Sequence, residues 1–145
     1  MTRRIIGLLV VGTLTVIGVS RGDDTKRQND QQAVQGTWKI IKGYEGGVEM
    51  PAKERDGIKL TFKGKKLVVS ENGRDEEAEF ELDASTSPRS INVQPPNEKK
   101  VFGIYEFDGD NLKLCFAREG GPRPTKFESP KDSKIGFVIL QREKK

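Results

Sequence analysis

The chain has 145 residues, 33% hydrophobic and 33% charged, with 26 Lys and Arg against 22 Asp and Glu and no histidine. This length leads us to expect one domain around one core, and the low apolar fraction argues against a helical membrane protein. Without histidine, acid–base chemistry would fall to Asp, Glu, Lys, Tyr or Cys.

The apolar residues are unevenly distributed. "MTRRIIGLLVVGTLTVIGVSRGDD" opens with two arginines, runs uncharged from Ile5 to Val19, and ends in small and polar residues. That order is the order of a secretory signal, and the run is shorter than the roughly 20 apolar residues of a spanning helix. Small residues at the −3 position place cleavage after Ser20 or after Gly22. Residues 1–22 are therefore read as the signal, 23–33 as a polar lead-in and 34–143 as the folded domain. The expected location is the periplasm or the exterior; the alternative is a chain anchored in the membrane by an uncleaved N-terminal segment. No cysteine lies near the cleavage region, which argues against a lipoprotein anchor. Cleavage after Gly22 removes Arg3, Arg4 and Arg21 and no acid, leaving 23 basic against 22 acidic residues. A nucleic-acid partner needs a dense basic face, and none is expected here.

Beyond the lead-in the hydrophobic period becomes two. "TWKIIKG" sets Trp38 and Ile40 on one face, and "GIKLTFKG" alternates Ile58, Leu60 and Phe62 with Lys59, Thr61 and Lys63. "AEFELD" alternates Ala78, Phe80 and Leu82 with Glu79 and Glu81. Such segments are half-buried antiparallel strands with one dry face and one wet face. "KLVVSEN", "RSINVQ", "VFGIYEF", "NLKLCFA" and "GFVILQRE" complete a set of about eight. Asn72-Gly73 and Asp108-Gly109 are tight-turn pairs, and Pro95-Pro96 cannot extend a ladder. Pro51 is placed to open a short helical turn over Ala52 to Arg55. The expected fold is all-β, an antiparallel up-and-down barrel of about eight strands.

The stretch "QGTWKII" places Gly36-Thr37-Trp38 at the start of the first strand. It resembles the G-x-W signature of lipocalins, which implies that Trp38 plugs the closed end of the barrel with a basic residue of the last strand across its ring. Arg142 in "LQREKK" is the candidate, although the continuous apolar run Phe137 to Leu140 leaves its face undecided. "VQGTWK", "GIKLTF", "GIYE" and "PRPT" together resemble a family of small lipocalin-like domains abundant in planctomycete bacteria. The resemblance extends over roughly Val34 to Glu143. It implies a lipocalin-like barrel in an exported protein and brings no catalytic residues with it.

No nucleophile elbow, P-loop or metal-ligand spacing appears, so no enzyme, cofactor or metal is expected. "DGDN" at Asp108 to Asn111 lacks the later glycine and terminal Glu of a calcium loop and reads as a hairpin turn. The carboxylates of "GRDEEAEFE" read as a solvated strand face. Cys115, the only cysteine, reads as a small buried residue. Arg123, between two prolines of "GGPRPTKF", is either a rim-loop guanidinium for an anionic group or a structural clamp, with Phe127 over the barrel edge; the clamp is favoured.

Two functions fit these residues. In one, a small apolar or amphipathic ligand sits in the barrel, lined by Ile40, Leu60, Phe62, Phe80, Leu114 and Phe116, with Leu82 and Leu112 on the same dry faces and Tyr105 as a polar handle. The loop from Tyr44 to Gly57 would then cover the mouth, hinged at Gly46-Gly47. In the other, the barrel is filled by its own side chains and the protein is a non-enzymatic interaction or structural module of the envelope or exterior. An eight-stranded barrel is wide enough for either.

Overall fold

The computed structural model describes residues 29–118 and 120–143; the proposed signal lies outside the described residues. A short helix, α1, covers residues 29–34 at the end of the polar lead-in. Nine strands follow: β1 (Gly36–Glu45), β2 (Val48–Glu49), β3 (Ile58–Lys63), β4 (Lys66–Glu71), β5 (Arg74–Asp83), β6 (Arg89–Gln94), β7 (Val101–Asp108), β8 (Asn111–Ala117) and β9 (Ile135–Arg142). A second short helix, α2 (Ala52–Arg55), sits between β2 and β3, with Pro51 before its first turn.

β1 and β3 to β9 pair in sequence order, all antiparallel, and β9 returns to pair with β1. The result is a closed eight-stranded up-and-down barrel, as the period-two pattern predicts. Closure removes the free edges that an open sheet would expose. β2 is an addition: it extends the far half of β1 as a two-residue hairpin arm after the Gly46-Gly47 turn. β1 serves three partners: β9 runs along one edge, with a register shift between Ile40 and Lys42, while the other edge pairs with β3 at Gly36 to Lys39 and with β2 at Tyr44 and Glu45.

Alternation sorts the strands. Trp38, Ile40, Leu60, Phe62, Leu67, Phe80, Leu82, Ile91, Tyr105, Leu112, Leu114, Val138 and Leu140 form one buried cluster inside the barrel, joined by Val34 of α1. The β4–β5 turn carries the expected chemistry: Asn72 and Gly73 both have positive φ, 52° and 88°, the pair of signs that a type I′ hairpin requires. At β7–β8 the loop pair is Gly109-Asp110 rather than Asp108-Gly109, since Asp108 ends β7 opposite Asn111 and only Gly109 has positive φ.

One connection lies across the outside of the barrel. The described residues between Ala117 and Ile135, 118 and 120–134, form a strap over an outer face that is also apolar, where Ile104 and Cys115 are 1% and 0% exposed. The strap ends by touching the β1–β2 turn: Ser129 Oγ accepts from the Gly47 amide, and the Asp132 amide donates to Gly46 O.

Candidate functional site

The closed end is built around Trp38. Its ring is 2% exposed and its indole Nε1 donates to the Val34 carbonyl at 2.9 Å, tying α1 to β1. The Arg142 guanidinium lies 4.3 Å from the Trp38 ring centroid and donates to the carbonyls of Gln35 and Ala33. Gly36 serves this contact in two ways: its φ is +116°, and a Cβ there would stand 2.9 Å from an Arg142 nitrogen. The glycine, tryptophan and arginine singled out in the sequence thus meet at one place. Gln35 adds a lock by accepting from Gly64 N and donating to Gly64 O across the β3–β4 turn.

Beside this plug sits a polar cluster that the sequence did not reveal. Asp30, 7% exposed, accepts from the Tyr105 hydroxyl at 2.6 Å and from Arg89 at 3.1 Å. Burial, then the hydrogen bond and charge of Asp30, push the Tyr105 phenol far above its ordinary range. Tyr105 therefore points inward, as a polar handle would have to, but its hydroxyl is committed to α1. Asp30 lies in a segment read only as a polar lead-in, 75 residues from Tyr105 in sequence, and nothing local marks it as buried.

The interior is occupied. Of the seven candidate lining residues, Ile40, Leu60, Phe62, Phe80, Tyr105 and Leu114 are 1–8% exposed, and they pack on one another in a single cluster. Phe62 and Phe80 meet edge to face with ring centroids 4.9 Å apart. Only Phe116 is half-buried, near the open end with Ile58, Val69 and Val93. Gly103 lies opposite Phe116 in the β7–β8 register, and a Cβ there would come within 2.7 Å of the Cys115 carbonyl. The loop expected over the mouth does contribute there: Met50 is 7% exposed and its sulfur fills the space in front of Gly43. A Glu45–Arg118 ion pair stands beside it, with Arg118 5.9 Å from the Phe116 ring.

Arg123 belongs to the connection at the open end, but its side chain runs along the outer wall. It donates to Gly103 O at 2.8 Å, Ile91 O at 3.2 Å and Asn92 Oδ1 at 2.7 Å, and stacks 5.1 Å from the Phe102 ring centroid. Three of its five N–H donors go to the barrel's own acceptors, which is the geometry of a clamp. Phe127 reaches Phe137 with centroids 6.3 Å apart. Underneath, the Cys115 thiol donates to the carbonyls of Lys126 and Glu128, and burial pushes its pKa up.

Two depressions lie outside the barrel. One, of about 1270 Å³, follows β5 and β6 and is bordered by Gln31, Lys65, Glu79, Glu81, Asn92 and Lys100 among others. The other, of about 300 Å³, sits at the roots of the strap between Ala117, Pro122 and Ile135. Of the candidate lining residues only Phe80 and Leu82 border either, both from the strand whose carboxylates face outward. A scan against protein-family models gave no match, and a search of the curated proteins gave none either.

Proposed function

We propose that this protein is an exported, lipocalin-like, non-enzymatic barrel that works through its outer surface as an interaction or structural module. The observation that carries the reading is the occupied interior: six of the seven side chains that would line a ligand cavity are buried against each other. An eight-stranded barrel has an interior just wide enough to be filled in this way. Export is supported by the arginines, apolar run and small residues of positions 1–22.

The test is a titration of the protein recovered from its host with fatty acids, isoprenoids and an environment-sensitive apolar dye. The expected result is no saturable binding. The same preparation should begin between Arg21 and Asp23 on N-terminal sequencing; an intact Met1 chain in the cytosol would overturn export.

A small apolar ligand is the second reading, favoured by the half-buried Ile58, Val69, Val93 and Phe116 around the open end. Saturable binding that weakens when Phe116 becomes Asp, with the fold intact, would replace the first reading by this one.

A further inference from the structure

The outer wall sorts its charges by strand. The residues of β5 that alternate with its buried positions are Asp75, Glu77, Glu79, Glu81 and Asp83, an unbroken row of carboxylates. Their partners across the β6 edge are neutral: Gln94, Asn92 and Ser90. Two strands away the sign reverses. β3 presents Lys59 and Lys63, and β1 presents Lys39 directly opposite Lys59. Lys63 in turn stands opposite Lys66 of β4. Like charges directly opposed across strands destabilise a sheet, so this arrangement works against the stability of a single copy. Interleaving the same residues would avoid the cost. Between the two walls the described residues form one ion pair, Lys66–Glu77 at 3.5 Å, while Lys59 reaches Glu143 at 2.9 Å. Lys39, Lys63 and Glu79 have no ion-pair partner among the described residues.

We propose that the partner is a second copy of this chain, with the Lys39/Lys59/Lys63 wall of one molecule docked on the Glu77/Glu79/Glu81 wall of the next. The spacings match. Lys59 and Lys63 are four residues apart on one strand, as are Glu77 and Glu81, and outward positions four apart in a strand are separated by about 13–14 Å. The depression along β5 and β6 gives the incoming wall room to approach. After cleavage behind Gly22 the chain holds 23 basic against 22 acidic residues, a near-balance that sets little overall repulsion against the contact. The two walls lie two strands apart on one barrel, so a two-fold contact can set each copy's basic wall on the other's acidic wall. The inference rests on the outer wall being the working surface.

The experiment is sedimentation of the protein recovered from its host at rising concentration, in low salt and again near 0.5 M, where charges are screened within about 5 Å. Two charge-reversed variants accompany it, Lys59→Glu/Lys63→Glu and Glu77→Lys/Glu81→Lys, each checked for its fold by circular dichroism. Expected are association in low salt and its loss in high salt. Each variant alone should be monomeric, and an equimolar mixture of the two should associate again. A wild-type protein that stays monomeric in low salt overturns the proposal, as does a mixture that fails to associate or a variant that associates as well as the wild type. A monomeric wild type that captures polylysine would assign the acidic wall to a different, basic partner and overturn the second copy. Dye binding inside the barrel would sink the filled-barrel reading without altering any of these outcomes, so the two failures are separable.

Discussion

Trp38 joins three elements at a single ring: α1 through the Val34 carbonyl, β1 through its own backbone, and β9 through Arg142. Trp38→Ala should therefore cost about 3–5 kcal/mol, as buried aromatics do. Arg142→Met, which keeps the stem but loses the guanidinium, should cost about 0.5–2 kcal/mol for the ring contact alone. Urea midpoints report both, and an unchanged midpoint for Trp38→Ala would remove the ring from the core. Tyr105 makes a prediction with a pH sign. Its phenol is pushed up by burial first and by Asp30 next, whereas in the unfolded chain it ionises near pH 10, about the ordinary value. In that window the unfolded state has fewer protons than the folded one. The stability this group contributes is thus complete below about pH 10 and drains away as pH rises beyond it. Tyr105→Phe should lower stability at neutral pH by about 1–3 kcal/mol, because Asp30 keeps its burial and loses a donor. The same variant should flatten the alkaline decline, and urea midpoints between about pH 8 and 11 compare the two slopes. A decline as steep in the variant would assign it to other groups.

At the scale of elements, the strap is the part of the chain whose role depends most on distant partners. Arg123 grips two backbone carbonyls and an amide oxygen of the barrel wall, and the strap it holds covers the thiol of Cys115. Arg123→Ala should loosen the strap, and labelling of Cys115 by a thiol reagent in the native state should speed up about tenfold for every 1.4 kcal/mol of holding energy lost. Labelling that stays as slow as in the wild type would mean that the strap is held elsewhere. This geometry also marks where the sequence is readable. β3 and the second half of β5 alternate cleanly because one face meets the core and the other meets water, so their inward residues follow from period alone. β9 does not alternate: Val138 and Leu140 enter the core, while Phe137 lies outside against Tyr44 and Phe127. The strap makes both faces of β9 dry, which is why the face of Arg142 could not be read from Phe137 to Leu140. Arg123 stood out through its flanking prolines, but the carbonyls it binds carry no signature in any sequence. Asp30 is hidden for a related reason, since a short polar segment looks the same whether it is solvated or folded under a barrel.

For the whole molecule, the question is whether closing eight strands leaves room inside. Alternation tells which side chains point inward, and here it placed Ile40, Leu60, Phe62, Phe80, Leu114 and Phe116 on the inner face. It cannot tell whether their summed volume fills the space, because that depends on strand tilt, on Met50 folding over Gly43, and on Val34 arriving from outside the sheet. The packing supplies that answer, and it can be reversed by one substitution. Phe62 is 1% exposed and meets Phe80 edge to face, so Phe62→Ala should leave a dry void lined by apolar side chains at a cost of about 3–5 kcal/mol. Engineered apolar voids of this kind admit small apolar molecules. In the presence of benzene the variant should regain stability, by about 2.7 kcal/mol once the free probe reaches a hundredfold excess over its Kd. The wild type, with no room for the probe, should show no shift in melting temperature under the same conditions. If the variant is too unstable to measure, Leu114→Ala makes a second void in the same cluster. A wild type that benzene stabilises as much as either variant would mean that the barrel already holds open space, and the ligand-binding reading would then account better for the fold.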